Sequence, residues 1–100
     1  MAKVIFFYQQ PKDLDGFEAY YSQVHHPLLK MFPNSNSVSI HRVIRTKNTD
    51  LNLYLLVELQ FESLEILQQS IVSPEAEMAI KDLENLTQYL THPPIMSIVN

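Results

Sequence analysis

Tyr21, His25 and His26 stand close together in a stretch whose apolar residues recur at three- and four-residue spacing. With Phe17 as reference and about 100° per residue, Tyr21 falls at about 40°, His25 at about 80° and His26 at about 180°. His25 therefore borders the apolar stripe one turn from Tyr21, and His26 faces solvent. A half-buried imidazole beside a phenol is suited to moving a proton near neutral pH, a contribution typically worth ~10²–10⁴-fold in rate. His25 and Tyr21 are the catalytic candidates. The residues leave a second reading open, in which His25 is structural and bonds a backbone carbonyl freed near Pro27. A metal is not expected. Adjacent helical histidines point about 100° apart, His41 and His92 belong to other elements, and no carboxylate stands at ligand spacing to any of them. Haem would rest on a lone histidine, so no cofactor is expected.

A second group lies on predicted strands. In Leu51 to Phe61 strict alternation puts Leu53, Leu55, Val57, Leu59 and Phe61 on one face, and Asn52, Tyr54, Leu56, Glu58 and Gln60 on the other. Glu58 is thus an acid in a largely apolar strand, pointing away from the helices toward a barrel interior or dimer interface. Such a carboxylate must be paired, hydrogen-bonded or protonated. Arg42 and Arg45 on the neighbouring strand are its candidate partners, with His41 and Arg45 on one face. His41, Tyr54 and Glu58 are the candidate substrate-binding residues; a structural ion pair at Glu58 is the other reading. Asp82 reads as a solvated or capping acid with a structural role.

The elements that must position these groups are legible in order. Lys3 to Gln9 is a β-branched and aromatic strand with two apolar faces, Val4/Phe6/Tyr8 and Ile5/Phe7. One face suffices for helices, so the other needs its own cover. Asp13 caps a helix running from Leu14 to about Lys30, with Phe17, Tyr20, Tyr21, Val24, Leu28 and Met31 on its apolar stripe. Pro27 removes an amide that would bond the Gln23 carbonyl, which predicts a kink in the last turns. Pro33 to Asn36 is a turn, and Ser37 to Arg45 a second strand. A polar turn over 46–50 leads into the third strand. Ser63 caps a short helix to about Ile71, and Ser73-Pro74-Glu75 starts another. His92-Pro93-Pro94 precedes a last strand, Ile95 to Val99. The order β-α-β-β-α-β is the ferredoxin-like pattern, an α+β fold with a four-stranded antiparallel sheet.

Length and composition bound the rest. One hundred residues make a single domain, 1–100, and the 46% apolar and 18% charged fractions are those of a folded globule. No apolar run is long enough to span a membrane, and Met1-Ala2-Lys3 enters the first strand without the apolar region of a signal peptide. The seven basic residues are scattered under a net charge of −4, which leaves no stripe for a phosphate backbone. Neither nucleic acid nor membrane is an expected partner. With no cysteine, disulfides and thiol catalysis are excluded, and a cytoplasmic location is expected.

Tyr21-Ser-Gln-Val-His25-His26-Pro27-Leu28 resembles the Y-x-x-x-H-x-P-L signature on the first helix of EthD-family proteins. Pro11-x-Asp13, Phe17, Glu58-x-x-Phe61, Ser73-Pro74-Glu75 and Asp82-Leu83 follow in the family's order, so the resemblance covers nearly the whole chain. It implies a homodimeric α+β barrel in which two four-stranded sheets face each other, in agreement with the doubly apolar strands. It also implies an oxidoreductase-type or cofactor-independent isomerase activity on a small, mostly apolar organic ligand. The helix-motif histidine sits in the pocket of isomerase-like members, and here that residue is His25. Where the family has Gly after Pro33, this chain has Asn34, which tolerates the left-handed conformation. An enzyme or carrier should then show an open apolar cavity touching His25; a purely structural dimer should show that space filled.

Overall fold

The computed structural model describes residues 1–100. Strands β1 (Ala2–Gln9), β2 (Ser37–Arg42), β3 (Leu53–Phe61) and β4 (Ile95–Val99) form one sheet in the order β2-β3-β1-β4. Every neighbouring pair is antiparallel. Helices α3 (Leu64–Ile71) and α4 (Pro74–Thr87) form the second helical unit, giving the βαββαβ order expected of a ferredoxin-like fold. Ser63 accepts from the Ile66 amide (3.2 Å) and Ser73 from the Ala76 amide (3.1 Å), so both predicted caps form.

The first helical unit departs from the wheel. Helix α1 (Leu14–Tyr20) runs into a π-helical turn, Tyr21–His25, and then into the short α2 (His26–Leu29). The His26 amide bonds the Tyr21 carbonyl, five residues back, and Pro27 follows with no amide to restore the α-register at Gln23. One inserted residue sets every later side chain back by one position on the helix surface. Leu29 and Phe32 are buried in consequence, Leu28 is only half-buried, and Val24 and Met31 are exposed, contrary to the predicted stripe. At the other end Asp13 accepts from the Gly16 amide at 3.0 Å. A Cβ on Gly16 would lie 2.3 Å from the Asp13 carboxylate and 2.8 Å from the Tyr89 ring, so only glycine fits beneath this cap.

Val4, Phe6 and Tyr8 of β1 and Leu55, Val57, Leu59 and Phe61 of β3 form the sheet side of the core, under Phe17, Leu29, Leu67 and Leu86. The β3 alternation is as expected from Leu55 onward. Tyr8 pairs with Leu55 but Gln9 with Leu53, so the register slips by one residue and Tyr54 is left between. Strand β2 ends at Arg42 rather than Arg45. Past the Val43 amide, which bonds the Tyr54 carbonyl (2.9 Å), the chain leaves the ladder for a polar loop. Arg45 lies in that loop and shares no strand face with His41. Asn34 has φ 62°, the left-handed conformation its residue type permits.

The face of the sheet away from the helices carries Lys3, Ile5 and Phe7 of β1, Leu56 and Glu58 of β3, His41 of β2 and Ile95 of β4, paired in register. Ile5, Phe7 and Leu56 are half-buried, and Ile95 is exposed. No helix is long and apolar enough to cross a membrane.

Candidate functional site

The π turn brings His25 to 0% exposure, between the sheet and α4. Its Nδ1 lies 2.9 Å from Asp82 Oδ2, and its Nε2 3.4 Å from the Tyr8 hydroxyl. Asp82 is held in turn. Its Oδ1 accepts from the Tyr20 hydroxyl (2.5 Å) and from Asn85 Nδ2 (2.8 Å). An Nδ1 facing a carboxylate carries the proton, which leaves the Nε2 lone pair directed at Tyr8. Burial disfavours the charged imidazole and outweighs the support of Asp82, so His25 titrates below its ordinary value and is a neutral base at pH 7. Burial alone would raise the Asp82 pKa, but the bonds from Asn85, Tyr20 and His25 outweigh it and hold the carboxyl below its ordinary value. Burial, with Tyr21 and Asp82 nearby, pushes the Tyr8 hydroxyl well up, so Tyr8 remains a donor. The result is a line of three buried groups, Asp82–His25–Tyr8, with a base oriented by an acid.

Tyr21 lies beside His25, with ring centroids 5.8 Å apart and planes tilted by 47°, but it does not bond it. Its hydroxyl turns to His26 Nδ1 at 3.1 Å. The expected His25–Tyr21 proton pair is therefore replaced by His25–Tyr8. His26 is half-buried beside Tyr21 rather than facing solvent. Both differences follow from the π turn, which moves His26 into the position that His25 would hold on an unbroken α-helix.

Tyr54 does not share a face with Glu58. The register slip turns it to the helix side, as bulges commonly do to a side chain near a functional site. There its ring meets Phe17 edge-on at 5.9 Å, and its hydroxyl donates to Glu18. Arg42 pairs in register with Leu55 and so lies on the helix face too. It grips Glu18 through Nη1–Oε1 (2.5 Å) and Nη2–Oε2 (3.2 Å), and reaches the Tyr54 hydroxyl at 2.9 Å. Arg42 is thus unavailable to Glu58. Glu58 instead takes Lys3 Nζ (3.4 Å) and His41 Nε2 (3.1 Å), all on the open face of the sheet. His41 and Glu58 are brought together, but on the side of the sheet opposite His25. No group of His, Asp and Glu side chains converges in a metal-binding arrangement.

No open cavity touches His25. One depression, of about 370 Å³, lies between α3 and α4 beside Ile71 and Ile80. The other, of about 390 Å³, lies between α2 and α4, with Leu28, Met78 and Asp82 in its lining. The inner space next to His25 is filled by Tyr8, Phe17 and Tyr21, whose centroids are 5.6–6.1 Å apart.

A family model for the EthD domain matches residues 9–88. The chain belongs to the EthD family. It is similar over its full length to an ethyl tert-butyl ether D (EthD) family protein of Bacillus halodurans, at 25% identity and a TM-score of 0.84, covering 97% of that chain. An antibiotic biosynthesis monooxygenase is similar at 9% identity and TM-score 0.61, over 100% of this chain and 97% of the other. A dimeric protein of unknown function and ferredoxin-like fold from Bacteroides fragilis is similar at 11% identity and TM-score 0.59, over 99% and 94%. The last two likenesses are of fold alone. No curated protein sequence matches. Within this EthD chain, Asp82 is not the solvated or capping acid that the sequence suggested but a buried partner of His25, and Tyr8, read only as part of an apolar strand face, is the other partner. A signal for Asp82 was present: Ala76, Ala79, Asp82 and Leu86 recur at three- and four-residue spacing, so the acid interrupts the buried stripe of α4.

Proposed function

We propose that this EthD-family chain binds a small, mostly apolar organic molecule against the aromatic row beside its first helix, and that His25 transfers a proton to or from it. The observation that carries this reading is the Asp82–His25–Tyr8 line: a fully buried neutral imidazole whose tautomer is set by a buried carboxylate. Burying three polar groups in an aromatic core costs stability that an apolar trio would not, and oriented bases of this kind are what proton-transfer chemistry uses. Tyr21 and Phe17 supply the apolar wall, and Tyr21 must swing aside to admit the ligand, since the inner space is closed in the isolated chain. An isomerase- or oxidoreductase-type reaction fits this arrangement. A second reading is supported by that same closure: a structural dimer in which Asp82–His25–Tyr8 is an internal strut.

Thermal-shift and NMR titration against small aromatic acids, lactones, quinones and ethers, on wild type and His25→Gln together, separates the two. The expected result is a compound class that stabilises wild type, perturbs the Tyr21 and His25 resonances, and loses its effect in His25→Gln. No shift with any class, at concentrations well above millimolar, leaves the structural reading.

The same proposal includes a homodimer through the open sheet face, where Ile5, Phe7, Leu56 and Ile95 form an apolar surface around the Lys3–Glu58–His41 cluster. The dimeric state of the Bacteroides fragilis protein of similar fold supports it. Phe7→Glu should convert a dimer to a monomer in sedimentation equilibrium without unfolding it. A wild-type chain that sediments as a monomer at micromolar concentration rules the dimer out.

A further inference from the structure

We propose that Arg42 and Tyr54 form an anion anchor that selects a carboxylate-bearing aromatic ligand for the His25 site, and that Glu18 occupies this anchor as an internal stand-in for the ligand's carboxylate. The inference rests on the small-molecule reading above and names the substrate class. Arg42 offers Glu18 the two-pronged geometry by which a guanidinium recognises a carboxylate, with Nη1–Oε1 at 2.5 Å and Nη2–Oε2 at 3.2 Å. The Tyr54 hydroxyl donates to the same carboxylate, and the Arg42 guanidinium lies 5.5 Å over the Tyr54 ring. Glu18 is thus bound by three converging donors, as a ligand acid would be.

Position turns this ion pair into an anchor. Tyr54 reaches the cluster only because the strand register slips at that residue; unbroken alternation would have put its hydroxyl on the far side of the sheet. From the anchor a continuous aromatic row leads inward: Tyr54 to Phe17 at 5.9 Å, Phe17 to Tyr21 at 5.9 Å, Tyr21 to His25 at 5.8 Å. A ring held by its carboxylate on Arg42 would meet the outer end of that row at Tyr54 and Phe17, and His25 stands at its inner end. Glu18 and Arg42 are at the surface, with side chains 33% and 54% exposed, so Glu18 can rotate into water when a ligand acid replaces it. An exposed ion pair contributes little to stability. Exchange of one carboxylate for another there costs little.

The test is isothermal titration with benzoate and 2-naphthoate against benzamide and 2-naphthamide, on wild type, Glu18→Gln, Arg42→Gln and Arg42→Lys, each checked for an unchanged melting temperature. Wild type is expected to favour each carboxylate over its amide by at least about tenfold, the scale of a charge-assisted hydrogen bond. Glu18→Gln should tighten carboxylate binding several-fold, because the internal competitor is weakened. Arg42→Gln should abolish the preference, and Arg42→Lys should restore only part of it. Amides that bind as tightly as the acids, or a Glu18→Gln chain that binds carboxylates no better, overturn the anchor while leaving the small-molecule reading intact. Absence of binding by all four probes in both wild type and Glu18→Gln overturns the anchor, and the small-molecule reading then falls only if the wider screen of lactones, quinones and ethers fails as well.

Discussion

Replacing Asp82 by Ala is expected to destabilise the chain by about 3 kcal/mol, the scale of removing a charged hydrogen-bond partner from a buried donor. The substitution leaves the His25 Nδ1–H without an acceptor in a fully buried position, and also frees Tyr20 and Asn85. Asp82→Asn keeps an acceptor oxygen but not the charge, and should cost clearly less. Urea unfolding at pH 7 reads both; a loss under 1 kcal/mol for Asp82→Ala would mean that the line through His25 is not formed in solution. The pH dependence of stability gives the same line a sign. His25 is held below its ordinary 6.5, so the unfolded chain takes up a proton before the folded one does. Stability is full above pH 6.5 and falls as pH drops from there toward the lower folded value. Asp82, below its ordinary 3.8, adds a second loss in more acidic solution. His25→Gln should flatten the first limb, leaving the residual slope of His26, whose partial burial and neighbour Lys30 hold it below its ordinary value as well.

Leu55→Ala should cost ~2–5 kcal/mol, the range for truncating a large aliphatic side chain in a closed core. Leu55 is 1% exposed on the helix side of β3. Leu56, next in sequence, is only half-buried on the open face, and Leu56→Ala should cost the isolated chain much less. The contrast carries the strand assignment. Equal losses at both positions in urea melts run at low protein concentration would mean that the open face is buried within the monomer. If the chain dimerises through that face, the Leu56→Ala loss should instead grow with protein concentration, because oligomerisation adds to apparent stability by mass action.

How far the sequence reached differs between fold and site. Element order was legible because each element announces itself locally. A continuous β-branched and aromatic run marks β1, a period-two apolar pattern marks β3, side-chain caps at Asp13, Ser63 and Ser73 mark three helix starts, and Pro74 stands in the first position of α4. The Y-x-x-x-H-x-P-L motif on the first helix pointed to the EthD family, and His25 was singled out from its place beside the apolar stripe.

The partners of His25 were not legible. A helical wheel assumes one angle per residue, and the π turn at Tyr21–His25 breaks that assumption in the segment that carries the site. Strand alternation likewise assumes an unbroken register, and the slip at Tyr54 moves a side chain from one face of the sheet to the other. Asp82 meets His25 from another element 57 positions away, a juxtaposition that depends on how α4 packs against the first helix.

By itself, then, the sequence determined the order of elements, the buried face of β3 from Leu55 onward and the helix histidine worth testing, because these depend on neighbours within a few residues. Tertiary structure alone decided that His25 faces Asp82 and Tyr8 rather than Tyr21, that Glu58 pairs with Lys3 and His41, and that Arg42, Tyr54 and Glu18 meet. Each of those contacts joins separate elements, through a register irregularity, a packed interface or the pairing of neighbouring strands. No pattern of spacing along one element encodes them.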